Sequence, residues 1–125
     1  MVMPYHLHMP SYFLETFTEY PELKLHIMAF SEETIQQVWE KATPVAGNDP
    51  AVWRQDQCKA WIGRRFYGNR NSEYGWEIDH IVPVSKGGTD NLSNLRPLQW
   101  DNNASRQNDR LVCKITASGT HNTEK

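Results

Sequence analysis

Between Tyr74 and Asn103 the chain reads YGWEIDHIVPVSKGGTDNLSNLRPLQWDNN. Two short apolar runs, WEIDHIV and NLRPLQW, flank a polar loop rich in turn residues. Pro83 ends the regular pairing of the first, and Pro97 is tolerable in the second only at a sheet edge. A helix capped by Asp101 follows as NNASRQNDR. The segment therefore reads as strand, long loop, strand, helix over about 76–110. Asp79 and His80 end the first strand, where Glu77 and Asp79 share one face and Trp76 and Ile78 the other. A helix start facing a strand end can bring Asp79 and Asn103 together. Scarcely any core-forming residues lie between these polar groups, so packing alone does not account for them.

The 125-residue chain is long enough for one domain. Only 38% is hydrophobic and the mean hydropathy is -0.71. That predicts a small core with long surface loops, in which the area buried by five Trp and five Tyr partly compensates. No apolar run approaches the roughly 18 residues of a membrane span. The start, MVMPYHLHMPSYF, lacks the basic end and continuous apolar stretch of a signal peptide. Cys58 and Cys113 form no CxxC pair, which speaks against a zinc knuckle or a disulfide framework and for a reducing, cytoplasmic setting. Cys58 reads as a small buried hydrophobe. Residues 1–50 carry two lysines against seven acids, a balance of -5, whereas 51–125 carry eleven basic residues against eight acids, a balance of +3. A polyanion would dock on the second part, with modest, salt-sensitive affinity.

Prolines 4, 10 and 21 interrupt residues 1–27, which read as a loose extension; Met28, just before the first helix, is a plausible working start. FSEETIQQVWEKATP is a helix with Ser31 as N-cap, Glu32 and Glu33 at the positive end of its dipole, and Pro44 as its stop. Ile35, Val38 and Trp39 form its apolar stripe. AVWRQDQCKAWIGRRFYGN reads as two short strands joined near Asp56 and Gln57. LVCKITA is a late strand or extended tail. The expected fold class is α+β: a small domain over 28–120, with a preceding helix and short antiparallel strands, and a C-terminal tail over 121–125.

An aspartate oxygen and an asparagine carbonyl are hard ligands suited to Mg²⁺, which also keeps waters and takes substrate phosphate. An imidazole beside them titrates near neutrality and can take a proton from water. An amide such as Asn94 can hold that imidazole or its loop in one orientation. Arg106 lies one turn beyond Asn103 and can meet phosphate. Metal, base, orienter and cation are the parts of a metal-assisted phosphodiester hydrolase. Arg64, Arg65 and Lys86 are further candidates for phosphate contact, with ordinary surface charge as the alternative. Glu77 reads as a solvated strand residue, with metal ligation as the alternative. Trp53, Trp61, Tyr67 and Trp76 read as core rather than as base-stacking platforms.

WEIDHIVPVSKGG, then NLRPL, then NN before a basic helix, resembles the HNH endonucleases of the ββα-metal fold. The likeness is strong over about 74–107, with a ββα core over about 74–110, and reaches upstream through VWRQDQCKAWIGRRFYGNRNSEYG. His80 matches the first His of the pattern, Asp79 the acid before it, Asn94 the middle Asn and Asn103 the last position. The resemblance implies hydrolysis of nucleic acid, DNA first, leaving 5′-phosphate and 3′-hydroxyl ends. In it His80 is the general base, Asp79 and Asn103 hold one divalent cation, Asn94 fixes the loop, and Arg106 neutralises phosphate. Magnesium is the first expectation, with manganese, nickel or zinc able to take the same site. Many members bind a structural zinc through CxxC pairs. Gln99 and Asn102 stand where one such pair would be, so no structural zinc is expected and aromatic packing should serve instead. The rival readings are a non-catalytic nucleic-acid-binding module of the same fold, or a cytotoxic nuclease effector restrained by an inhibitor protein. No membrane partner is expected, and the sequence does not set an oligomeric state.

Overall fold

The computed structural model describes residues 30–125. The extension read over 1–27 and the start at Met28 lie outside the described residues. Ser31 opens helix α1 (Glu32–Trp39), its hydroxyl accepting from the Thr34 backbone N–H at 3.1 Å. Glu32 and Glu33 occupy the first turn, where the helix dipole favours them. The helix ends short of Pro44, but the turn after it still delivers Ala42 to the core. Two hairpins follow. Strand β1 (Trp53–Gln55) pairs antiparallel with β2 (Trp61–Gly63), and β3 (Trp76–His80) with β4 (Leu95–Gln99). In the second hairpin Trp76 faces Gln99, Asp79 faces Arg96 and His80 faces Leu95.

The apolar stripe of α1 closes one face of the β3–β4 hairpin. Ile35, Val38, Trp39, Ala42, Ile62, Trp76 and Leu95 form one buried cluster, with Phe30, Tyr67 and Ile78 against it. A two-stranded hairpin is marginal alone, so this helix is what makes the ribbon a stable platform. Trp39 and Trp76 pack with ring centroids 5.4 Å apart. Lys41 reaches from the end of α1 to the carbonyls of Leu92 and Leu95, tying the helix to the foot of the long loop. A second cluster joins Trp53, Trp61 and Tyr74. Trp53, Trp61 and Trp76 are all buried and Tyr67 is packed against Trp76, as a sparse core made of aromatics requires.

Three expectations need correction. Helix α2 (Trp100–Ala104) is capped by Gln99, not Asp101: the Gln99 side-chain oxygen accepts from Asp101 N and Asn102 N at 2.7 and 3.1 Å. It also stops well before Arg110. Asn108 and Asp109 take left-handed φ values of 50° and 63°, which short polar side chains tolerate, and a turn closes between Gln107 and Arg110. Residues 121–124 are not a tail. Strand β6 (His121–Glu124) pairs with β5 (Ile115–Ser118), and the Asn122 side chain bridges Trp61 N and O at 2.7 and 2.9 Å.

The third correction is that Cys58 and Cys113 are joined in a disulfide. Cys58 is buried, but as half of a cross-link. The tight β1–β2 turn and the left-handed backbone at Cys113 (φ 53°) bring their Cα atoms to 5.2 Å. The argument from unpaired thiols to a reducing compartment therefore loses its basis.

Candidate functional site

Strand alternation sends Trp76, Ile78 and His80 toward α1, and Glu77 and Asp79 toward α2. Both carboxylates are buried, Glu77 at 8% and Asp79 at 5% exposure, so Glu77 is not the solvated strand residue expected. A buried charge must be paired, and each one is. Asp79 accepts from Arg96 Nε at 2.7 Å and from Arg106 Nη1 at 2.6 Å. The first contact follows from register, since Arg96 stands opposite Asp79 on β4. Glu77 is gripped by Arg70 through Nε and Nη2 at 2.6 and 2.8 Å. It also accepts from Asn103 Nδ2 at 2.8 Å. The α2 amide thus bonds Glu77, the same-face neighbour of Asp79. An amide whose nitrogen end is held by a carboxylate turns its carbonyl end away from it.

His80 ends β3 with its ring 6.0 Å from that of Phe30. Its Nε2 lies 2.7 Å from Asp90 Oδ1, on the far limb of the loop. Asn94 spans the two limbs. Its Oδ1 accepts from Val82 N at 2.8 Å, and its Nδ2 donates to Val82 O at 3.1 Å and Thr89 O at 2.8 Å. Its backbone carbonyl accepts from Ile81 N at 2.8 Å. The limbs run so close that a Cβ at Gly88 would stand 1.7 Å from the Val82 carbonyl oxygen, so only glycine fits there.

The cations expected to meet phosphate have intramolecular partners. Arg106 also donates to the carbonyls of His80 at 3.1 Å and Asp109 at 2.5 Å, so it is part of the buried frame rather than a free surface charge. Lys86 pairs with Asp109 at 2.6 Å. Arg64 donates to Gln36 at 2.9 Å and lies 3.6 Å from Glu32. Arg65 lies over the Phe66 ring, 4.7 Å from its centroid.

At Asn102, where the resemblance would place a zinc-binding pair with Gln99, a buried polar knot joins three parts of the chain. Asn102, fully buried, donates to Asp56 Oδ2 and the Ile115 carbonyl and accepts from Ile115 N. Asp56 accepts further from the backbones of Cys58, Ala60 and Gln99. Burial pushes the Asp56 carboxyl up, opposed by its bonds to Gln99, Asn102, Ala60 and Cys58. Hydrogen bonds and a disulfide thus supplement the aromatic packing expected there.

Sequence reasoning missed Arg96 and Asp90, and Arg70 read there only as surface charge ahead of the motif. Arg96 was findable by pairing the two strands in antiparallel register. Arg70 and Asp90 lie on loops, where no periodicity signals a contact. Among the described residues, no group of three or more His, Cys, Asp or Glu could hold a metal ion. The oxygen donors of Glu77, Asp79 and Asn103 nevertheless lie on one side of β3 and are all hard. A carboxylate has about four lone-pair positions, so two guanidinium contacts do not exhaust Asp79.

No curated protein and no solved structure matches the chain. The family model described as HNH endonuclease matches residues 63–108. That span runs from the end of β2 through the β3–β4 hairpin and its loop to just past α2, and includes every residue of the Asp79, His80, Asn94 and Asn103 set. The strand–loop–strand–helix unit and this match coincide, so residues 63–108 are similar to the HNH endonuclease family.

Proposed function

We propose that the protein is a metal-dependent endonuclease that hydrolyses phosphodiester bonds of DNA, with His80 as general base. The observation that carries this reading is the layout around β3: an imidazole at the strand end, two buried carboxylates on the strand, and the amide of a packed helix reaching one of them. Binding alone needs no such base, which argues against the non-catalytic module.

In this mechanism His80 takes a proton from water as the oxygen attacks phosphorus. The bond from phosphorus to the 3′ oxygen breaks, leaving 5′-phosphate and 3′-hydroxyl ends. Asp79 and Asn103 would hold one divalent ion, magnesium first, which supplies positive charge to the scissile phosphate and the departing oxygen. Arg96 and Arg106 fix the Asp79 carboxylate. Glu77 holds the Asn103 nitrogen and so sets which end of that amide is offered. Asn94 keeps the loop that follows His80 in one shape.

Supercoiled plasmid is expected to be cut with Mg²⁺ or Mn²⁺ and left intact in excess EDTA. Full activity in EDTA would refute the metal dependence. Asn103→Ala should weaken Mn²⁺ binding measured by calorimetry with little change in melting temperature. Unchanged affinity would remove Asn103 from the metal site.

One observation favours a second reading. A disulfide persists in oxidising compartments, which suits an exported nuclease effector restrained by an inhibitor better than a cytoplasmic enzyme. Thiol titration of the protein isolated from its native compartment under acid quench decides between them: free thiols support the cytoplasmic setting.

A further inference from the structure

We infer that Asp90 is the positioning residue of His80, holding its ring so that Nδ1 is the atom that accepts the proton. The inference rests on the reading of His80 as the base. Its first support is the 2.7 Å contact between His80 Nε2 and Asp90 Oδ1. An ionised carboxylate only accepts hydrogen bonds, so the proton of the neutral ring sits on Nε2 and the lone pair on Nδ1. The pair then has the arrangement of an activated base: one ring nitrogen works while the other is oriented by a third group.

The second support is the loop. Val82 lies two residues beyond His80 and Thr89 is next to Asp90. The Asn94 side chain bonds both, so one amide sets the separation of the two limbs that carry the dyad. The absence of a Cβ at Gly88 permits the same approach. Phe30 limits the ring from another side, and Arg106 holds the His80 carbonyl. The frame therefore anchors the two backbone segments that carry the dyad, and the contact between Nε2 and Asp90 fixes the ring itself.

The third support is energetic. The Asp90 side chain is 70% exposed, and exposed ion pairs contribute little to folding. The pair is thus poorly explained as a stabilising device. During reaction the water proton passes to Nδ1 and the resulting imidazolium remains against the Asp90 carboxylate, while the hydroxide oxygen bonds to phosphorus and the bond from phosphorus to the 3′ oxygen breaks. The departing oxygen takes a proton from solvent water, and the imidazolium returns its own proton to solvent.

The test compares Asp90→Ala and Asp90→Glu with the native protein. Partners that orient a working imidazole typically account for roughly 10–100-fold in activity. The expected result for Asp90→Ala is a fall of that size in the maximal rate on plasmid DNA with Mg²⁺, at unchanged KM and melting temperature. Asp90→Glu should recover part of the rate. Nitrogen NMR of the metal-free protein, at a pH where the ring is neutral, should find the His80 proton on Nε2 in the native protein and divided between the nitrogens in Asp90→Ala. A native rate in Asp90→Ala with an unchanged tautomer overturns the inference and leaves the nuclease reading intact. A native rate in His80→Ala overturns that reading, and this inference with it.

Discussion

Replacing His80 with alanine is expected to slow DNA cleavage on the order of 10²–10⁴-fold, the contribution of a positioned general base. Folding should change little. The His80 side chain is 22% exposed and packs by one ring contact against Phe30, whereas the core beneath is built from Trp39, Trp76, Ile62 and Leu95. The proposed metal ligands should also persist, because Asp79 and Asn103 are held by groups other than His80. Mn²⁺ affinity and melting temperature are therefore the controls, and cleavage rate is the readout. Cleavage at the native rate would show that the base lies elsewhere. Asp79→Ala is a poorer test of the same site. It would strand Arg96 and Arg106 in a buried setting, and breaking a buried pair costs about 3–5 kcal/mol. Loss of activity there would report unfolding as readily as loss of metal. Asp79→Asn keeps an oxygen for one guanidinium and is the variant to compare.

That difference between neighbouring residues was only half legible in the sequence. Alternation along WEIDH separates Glu77 and Asp79 from Trp76 and Ile78, and the structure has them on opposite faces. Alternation does not say which partners a buried carboxylate finds, because Arg70 arrives from a loop and Arg106 from beyond the end of α2. The helix boundary failed for a similar reason. Asp101 has the right side chain for a cap, but strand β4 holds Gln99 in extended backbone two residues earlier, and its side-chain oxygen takes the amides of Asp101 and Asn102. Helix α1 was readable because cap, acidic first turn and apolar stripe are local and agree with one another. The C-terminal hairpin was not, because its anchors lie far away in sequence: Asn122 on Trp61, and Asn102 on Ile115. Motif spacing singles out Asn94, but its bonds to Val82 and Thr89 depend on how the loop folds back, which spacing does not encode.

Loss of the Cys58–Cys113 cross-link is expected to have the largest effect on stability. The two residues are 55 apart in sequence, and closing a loop of that size restricts the unfolded chain enough to stabilise the fold by about 4 kcal/mol. For a domain of this size each kcal/mol shifts the melting temperature by roughly 4–8 °C, so reduction should lower it by roughly 15–30 °C. The effect should extend to the site. Cys58 follows Asp56, and Cys113 precedes Ile115, so the bond closes over the knot in which Asn102 joins Asp56 to Ile115. Asn102 sits beside Asn103 in α2. Loosening that knot frees the helix that carries the Asn103 amide to Glu77. Mn²⁺ affinity should therefore fall in the double variant Cys58→Ser, Cys113→Ser, even at temperatures where the protein remains folded. The check is a thermal melt with and without reductant, paired with calorimetric titration of the double variant. Coincident melts would mean that the thiols are not joined in solution. Separated melts with native Mn²⁺ affinity would confine the disulfide to stability and uncouple it from the site.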